Sequence, residues 1–97
     1  MKVIDNPEQI EFSVDNGFIA VFDAMWNRLD TKDNPIKTRI ECDDWHCVTL
    51  QEIKDQFIEE SSVLVVVFES FLNGVVYRYG NYMDDKWYQV GELDGFA

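Results

Sequence analysis

Residues 63–68 read Val-Leu-Val-Val-Val-Phe and form the most apolar run in the chain. Two further apolar runs, residues 75–82 and 87–92, follow across very short breaks. The β-branched and aromatic residues of these runs fit a pleated, half-buried surface, and residues 63–71 are too few to span a membrane. The last third of the chain therefore predicts a three-stranded antiparallel meander, with residues 63–71 at the centre of the sheet.

Two tight turns predict the register of this meander. Asn73-Gly74 readily adopts the positive φ angles of a type I′ hairpin turn, and Asp84-Asp85 predicts a second turn. The first turn pairs two opposite charges and two aromatic rings, namely Glu69 with Arg78 and Phe68 with Tyr79. Such pairs each stabilise a sheet by about 0.2–1 kcal/mol. The second turn places Tyr82 opposite Trp87.

Alternation along the strands divides the meander into two faces. The face that we expect to cover the core contains Leu64, Val66, Phe68, Leu72, Val75, Tyr77, Tyr79, Met83, Tyr88 and Val90. The second face contains Val63, Val65, Val67, Phe71, Val76, Tyr82 and Trp87, together with Glu69, Arg78 and Gln89. That second face is too apolar to be simply solvated, so we expect another segment of the chain or a partner to cover part of it.

Apolar residues at helical spacing predict an amphipathic helix over residues 18–29. They are Phe18, Phe22, Met25 and Leu29, and Asp23, Asn27 and Asp30 fall on the opposite side. A hairpin is the alternative, because Asp15-Asn16-Gly17 is also a turn signal between the alternating residues 10–14 and the apolar residues 18–22. The good helix formers in the second half of the segment favour the helix.

The middle of the chain predicts a strand, a short return strand and a second helix. Residues 36–42 alternate as a half-buried strand with Ile40 on its inner side, and residues 45–48 return. Thr49 and Glu52 have the spacing of a capping box, which predicts a helix to about residue 60 with an inner stripe of Leu50, Ile53 and Phe57. The whole chain, residues 1–97, therefore predicts one α+β domain: two helices packed on an antiparallel sheet with a C-terminal three-stranded meander.

Net charge is the strongest compositional signal. Nineteen acidic residues against eight basic ones give a formal charge of −11. Direct binding to nucleic acid or to anionic membranes is disfavoured, because both depend on Lys and Arg side chains. A basic protein partner is favoured by electrostatic steering, although solubility alone also explains an acidic composition. Since no apolar stretch is long enough for a membrane helix and residues 1–7 lack a signal-peptide pattern, we expect a cytoplasmic protein.

Carboxylates at helical spacing and surface aromatic rings are the predicted partner-binding residues. The carboxylates are Glu52, Asp55 and Glu59 on one predicted helix, and Asp23 and Asp30 on the other. Their spacing of about 5.4 Å per helical turn is close to the phosphate spacing of a nucleic-acid strand, so they predict a nucleic-acid mimic, against the simpler interpretation of a solvated helix face. Trp45, Tyr82, Trp87 and Tyr88 are too many to bury in a small core, and Tyr82 and Trp87 are the predicted aromatic anchors.

Cys42, His46 and Cys47 form the one cluster with the residue types of a catalytic or metal site. Thiolate and imidazole are zinc ligands, but the chain has a single His and no second Cys pair, so we expect no cofactor and no metal. A small metal- or thiol-dependent enzyme at this cluster is the weaker alternative to a non-enzymatic protein. Because Cys42 and Cys47 are close in sequence, a disulfide between them requires a tight loop, so free thiols are favoured over pairing.

The C-terminal third resembles small uncharacterised acidic proteins of phages and prophages of Gram-positive bacteria. The resemblance rests on residues 76–82, Val-Tyr-Arg-Tyr-Gly-Asn-Tyr, followed by Trp87 and the glycine-punctuated residues 91–97. It implies a phage context, in which small acidic proteins often inhibit or regulate host proteins. The leading hypothesis is therefore an acidic interaction module that occupies a basic, nucleic-acid-binding surface of a host protein. The alternative is an accessory protein that self-associates through the apolar second sheet face.

Overall fold

The structure, a computed structural model, describes residues 2–40, 45–70 and 76–92. Within these ranges the chain forms eight strands, one short 3-10 turn and one α-helix. The elements are β1 (Lys2–Ile4), the 3-10 turn (Pro7–Gln9), β2 (Glu11–Ser13), β3 (Gly17–Phe22), β4 (Arg39–Ile40), β5 (His46–Thr49), α1 (Leu50–Phe57), β6 (Leu64–Ser70), β7 (Val76–Met83) and β8 (Lys86–Glu92). The predicted α+β class is confirmed, but one of its two predicted helices is a strand.

The strands form two antiparallel sheets. The larger sheet has the order β1-β8-β7-β6-β3, and the smaller has the order β2-β5-β4. The core lies where one face of the larger sheet meets α1 and the smaller sheet, and its fully buried side chains are Val21, Val48, Leu50, Ile53, Phe57, Leu64 and Val66. The prediction that Leu64 and Val66 face the core is therefore confirmed.

The C-terminal meander forms as predicted, but with a different register between its first two strands. Tyr82 lies opposite Trp87 as expected, and Asp84 and Asp85 have φ angles of 53° and 63°, the left-handed pair that a type I′ turn requires. Between β6 and β7, however, Glu69 lies opposite Val76 and Phe68 lies opposite Tyr77, and a bulge shifts the register between Val66 and Val67. The Asn73-Gly74 turn lies outside the described residues.

The bulge explains why Tyr82 and Trp87 are not on the second face. An extra residue in one strand reverses which face the later side chains occupy. Beyond the bulge Tyr82 lies opposite Leu64, so both Tyr82 and Trp87 join the main core, where they are 4% and 2% exposed. The prediction that these two rings lie at the surface is wrong.

The helix predicted over residues 18–29 is wrong, because this segment contains strand β3. Ile19, Ala20 and Val21 are all buried, so both faces of the strand are apolar and the alternating pattern of a half-buried strand is lost. The strand also does not form the alternative hairpin, since β3 pairs with β6 and β2 pairs with β5.

The middle of the chain follows the prediction more closely. The return strand is confirmed as β5, and the capping box of Thr49 and Glu52 is present at the start of α1. The helix ends at Phe57, about one turn earlier than predicted, with its inner stripe fully buried. Ile40 in β4 was predicted to point inward, but it is 66% exposed. The side of the strand that carries Ile40 therefore faces solvent, the opposite of the prediction.

Candidate functional site

An aromatic surface lies on the outer side of β3, on the sheet face that α1 does not cover. The β3–β6 register places Phe18 beside Glu69, Ala20 beside Val67 and Phe22 beside Val65 on this face. The expected cover is only partial: Val65 and Val67 are buried against Phe22, but the ring of Phe18 is 43% exposed.

The loop that follows β3 presents two more apolar side chains to solvent. Met25 is 82% exposed and Trp26 is 49% exposed. The ring of Trp26 packs on Phe22 with 5.3 Å between the ring centroids, so the loop continues the apolar surface of the strand. We call these four residues, Phe18, Phe22, Met25 and Trp26, the β3 aromatic surface.

Asp23 holds this loop in one conformation. Its Oδ1 accepts hydrogen bonds from the backbone N–H groups of Met25 and Asn27, each at 2.9 Å, and its Oδ2 accepts one from the Asn27 side chain at 3.1 Å. The Asn27 N–H bond is the main reason that the pKa of Asp23 lies below its usual value. Trp26 has a φ of 63°, a left-handed conformation that is strained for a bulky residue and that the Asp23 bonds maintain.

Arg28 and Asp30, in the segment after the loop, contact the edge of β3. The Arg28 guanidinium lies 5.0 Å from the centre of the Phe18 ring and forms an ion pair of 2.9 Å with Asp30. Asp30 also accepts the backbone N–H of Val21 at 2.8 Å. These contacts cover the edge strand and orient Phe18, so the β3 aromatic surface is preorganised.

The predicted carboxylate stripes do not form as continuous helical rows. Asp23 and Asp30 lie in a loop and bind their own chain, and Glu59 follows the end of α1. Glu52 accepts the Thr49 N–H and pairs with Arg39, which also bonds Glu11. Asp55 is exposed on the helix, where its carboxylate accepts the Gln51 amide at 3.0 Å.

Cys47 does not have the surroundings of an activated thiol. Cys47 is a free, buried thiol, and burial followed by the charge of Glu11 raises its pKa, so it is a poor nucleophile near neutral pH. His46, the residue before Cys47 in β5, is exposed, and its backbone N–H donates to Asp15 at 2.7 Å. Cys42 lies outside the described residues. In the parts of the chain that the structure describes, no group of three or more His, Cys, Asp or Glu side chains is placed to hold a metal ion.

Sequence reasoning missed the β3 aromatic surface because it assigned these apolar residues to the buried side of a helix. A signal was present: Asp23 and Asn27 flank a short turn, and Asp side chains often bond the backbone N–H two residues later. Of the four rings judged too many to bury together, Trp45 is 41% exposed and Tyr88 is half-buried. The two chosen as anchors, Tyr82 and Trp87, are in the core.

Fold and site together define an acidic α+β chain with a preorganised apolar surface on one sheet face. No protein-family model, no curated protein and no solved structure matches the chain. Over the described residues, no helix is both long enough and apolar enough to cross a membrane.

Proposed function

We propose that this chain is a non-enzymatic protein-interaction module that docks on a basic partner protein through the β3 aromatic surface. The observation that carries this proposal is the loop at Asp23, which holds Met25 almost fully exposed and keeps Trp26 in a strained backbone conformation. Neither feature helps the chain to fold, since exposed apolar area and backbone strain both oppose stability.

Preorganisation supports docking over simple exposure. Ordering a side chain or loop on binding costs roughly 0.5–1.5 kcal/mol for each flexible side chain, and a surface that is already fixed avoids this cost. Trp and Met side chains are enriched at protein interfaces, and Trp is among the commonest residues to dominate binding energy. The packing of Trp26 on Phe22 and of Arg28 on Phe18 therefore gives this surface the character of an interface core.

The net charge indicates the chemistry of the partner. A chain with a charge of −11 attracts a basic surface over distances of about a Debye length, about 8 Å at physiological salt, and this increases the association rate. Two copies of the chain would instead repel each other. The charge therefore favours a basic partner over self-association through the apolar sheet face.

A narrower form of the proposal is that the chain occupies a nucleic-acid-binding surface of a host protein, as the resemblance to phage proteins implies. The net charge supports this form. The predicted row of carboxylates gives it no support, because α1 ends before Glu59 and the row is not regular. Competition decides the question: a mimic and duplex DNA must displace each other from the same partner, whereas a module that docks elsewhere leaves DNA binding unchanged.

Affinity capture from a Gram-positive bacterial lysate, followed by binding measurements with the isolated partner, tests the proposal. The test variant is Met25→Ser with Trp26→Ser, and the matched control is Ile40→Ser, which also removes an exposed apolar side chain. We expect a basic partner that binds more weakly as salt rises. Loss of the two anchors should weaken binding by at least roughly thirtyfold, the effect of a 2 kcal/mol interface residue, and the control should bind normally.

Two outcomes would contradict the proposal. In the first, the partner binds the Met25/Trp26 variant as tightly as the wild type, which would place the interface on another surface. In the second, the wild type forms a stable dimer that the same variant abolishes, which would make the β3 aromatic surface a contact between copies of this chain.

A further inference from the structure

A cavity of about 350 Å³ lies where β1, the 3-10 turn, α1 and the β7–β8 hairpin meet. Its volume lies within the range of small-molecule sites in proteins. The cavity shares no residue with the β3 aromatic surface, so its function can be judged independently of the protein interaction proposed above.

Two aromatic rings, tilted at 56° to each other, form part of the cavity wall. The centroids of Tyr82 and Trp87 are 5.4 Å apart, and both side chains are more than nine-tenths buried. The Nζ atom of Lys54 lies 5.2 Å from the centre of the Tyr82 ring, so a cation–π contact holds this ammonium at the cavity. Lys86, the first residue of β8, also lines the cavity.

The indole N–H of Trp87 has no acceptor among the described residues. This Nε1–H group is buried. A buried polar group left in this state costs about 1–3 kcal/mol, and the great majority of such groups in proteins have a partner. A ligand oxygen in the cavity would supply that acceptor.

Two lysines, Lys54 and Lys86, and two aspartates, Asp5 and Asp85, line the cavity. In the described part of the chain, neither Lys54 nor Lys86 forms an ion pair with a carboxylate. Asp5, Asp85 and Lys86 are exposed and Lys54 is half-buried, and the Asp85 carboxylate is engaged because it accepts a hydrogen bond of 3.3 Å from the Tyr82 hydroxyl. Two of the eight basic residues of a strongly acidic chain therefore meet at one cavity beside an unpaired N–H donor.

A second cavity of about 430 Å³ lies on the other side of α1 and differs from the first in the charge of its lining. It is lined by one lysine, Lys37, and by the carboxylates of Glu52 and Asp55, so its charge opposes an anion. Its amide group is also occupied, because Gln56 donates to the backbone of Pro35 and to Asn34.

We propose that the cavity beside Trp87 binds a small oxyanion ligand, a carboxylate or a phosphate, that pairs with Lys54 and Lys86 and accepts the Trp87 indole N–H. The two ammonium groups provide the attraction, and the indole N–H fixes the orientation of the ligand oxygen. Charge-assisted hydrogen bonds of this kind are about twice as strong as neutral ones.

Nuclear magnetic resonance of the ¹⁵N-labelled full chain tests this site directly. The chain has three Trp residues, so three indole N–H signals are expected, and Trp26→Phe and Trp45→Phe variants assign them. Sodium phosphate and sodium acetate are the two probes, and sodium chloride at the same ionic strength is the control. We expect a saturable shift of the Trp87 indole signal with at least one oxyanion, and no comparable shift for the other two signals.

Charge variants complete the test. Lys54→Gln and Lys86→Gln should each weaken the oxyanion affinity by about tenfold or more, while Lys32→Gln, which makes the same change in net charge at an exposed loop position, should not. Comparison of the two probes identifies which oxyanion the cavity prefers. A Trp87 signal that stays unmoved by both probes, or that moves equally in the Lys54→Gln variant and the wild type, would overturn the proposal.

Discussion

Gly17 occupies a position at the start of β3 that has no space for a side chain. A Cβ atom there would lie 2.5 Å from the Glu69 carbonyl oxygen and 2.5 Å from the Phe68 ring. Because the carbonyl belongs to the neighbouring strand, the sheet itself would have to move. We therefore expect Gly17→Ala to lower the free energy of unfolding by about 1–3 kcal/mol, measured by urea denaturation.

Gly80 is the comparison for this prediction. A Cβ atom at Gly80 would lie 3.2 Å from the Tyr88 carbonyl oxygen, so a few tenths of an ångström of relaxation accommodates it. We expect Gly80→Ala to cost less stability than Gly17→Ala. Equal stability of Gly17→Ala and the wild type would show that β3 and β6 are not packed as closely as described.

Cys47 gives a second prediction at the scale of the residue. Its buried thiol has a raised pKa, so little thiolate is present at neutral pH. In a Cys42→Ser variant, we expect the native protein to react with iodoacetamide much more slowly than the same protein unfolded in urea. Fast alkylation of the native protein, or stoichiometric zinc in the purified wild type, would instead favour the metal- or thiol-dependent alternative.

At the scale of the element, the stability of α1 depends on the hydroxyl group of Thr49, which is part of the capping box. The Thr49 Oγ1 accepts the Glu52 N–H at 3.1 Å, and Glu52 in turn accepts the Thr49 N–H at 2.9 Å. We expect Thr49→Ala to reduce the free energy of unfolding by about 0.5–2 kcal/mol, the usual effect of losing such a cap. Thr38→Ala, at an exposed position outside the helix, is the matched control.

The loop between Asp23 and Asn27 gives a prediction that separates preorganisation from contact. Asp23→Ala removes three hydrogen bonds from the loop and leaves Met25 and Trp26 in place. We expect lower backbone order parameters at Met25 and Trp26 and weaker binding to the partner, because the loop must then be ordered on binding. Unchanged order parameters would show that the strand edge, and not Asp23, fixes the loop.

At the scale of the whole molecule, three carboxylates make stability depend on pH. Hydrogen bonds from His46 and from Asn27 lower the pKa values of Asp15 and Asp23; at Glu52 burial opposes the bonds from Thr49 and Arg39, which outweigh it. A lowered pKa in the folded state means that stability is present above the unfolded-state pKa of about 4 and is lost as pH falls through the folded values. We expect the urea midpoint to fall steadily below about pH 4, and less steeply in Asp23→Asn.

The net charge of the whole molecule gives a prediction about how stability depends on salt. A charge of −11 on a small chain destabilises the compact state through self-repulsion, and surface ion pairs such as Arg28–Asp30 contribute little. Added salt screens the repulsion, so we expect the thermal midpoint at pH 7 to rise between about 0.01 M and about 0.15 M sodium chloride. A midpoint that falls with salt would mean that the Arg28 and Arg39 ion pairs outweigh the repulsion.

The sequence by itself determined the elements whose signals are local. The capping box at Thr49 and the Asp84-Asp85 turn act over a few residues, and the apolar run that became β6 has no competing pattern. These features were predicted correctly because hydrogen bonds and turn angles between near neighbours depend little on the rest of the fold.

Only the tertiary structure decided the features that depend on distant segments. β3 is a strand because it pairs with β6, far along the chain, and this pairing outweighs the helical spacing of residues 18–29. The bulge in the β6–β7 pairing moves Tyr82 and Trp87 into the core, while the loop after β3 leaves Met25 and Trp26 exposed. The physical reason is the two-residue period of a strand: one inserted residue reverses every later side chain, and no local pattern in the sequence marks where that residue falls.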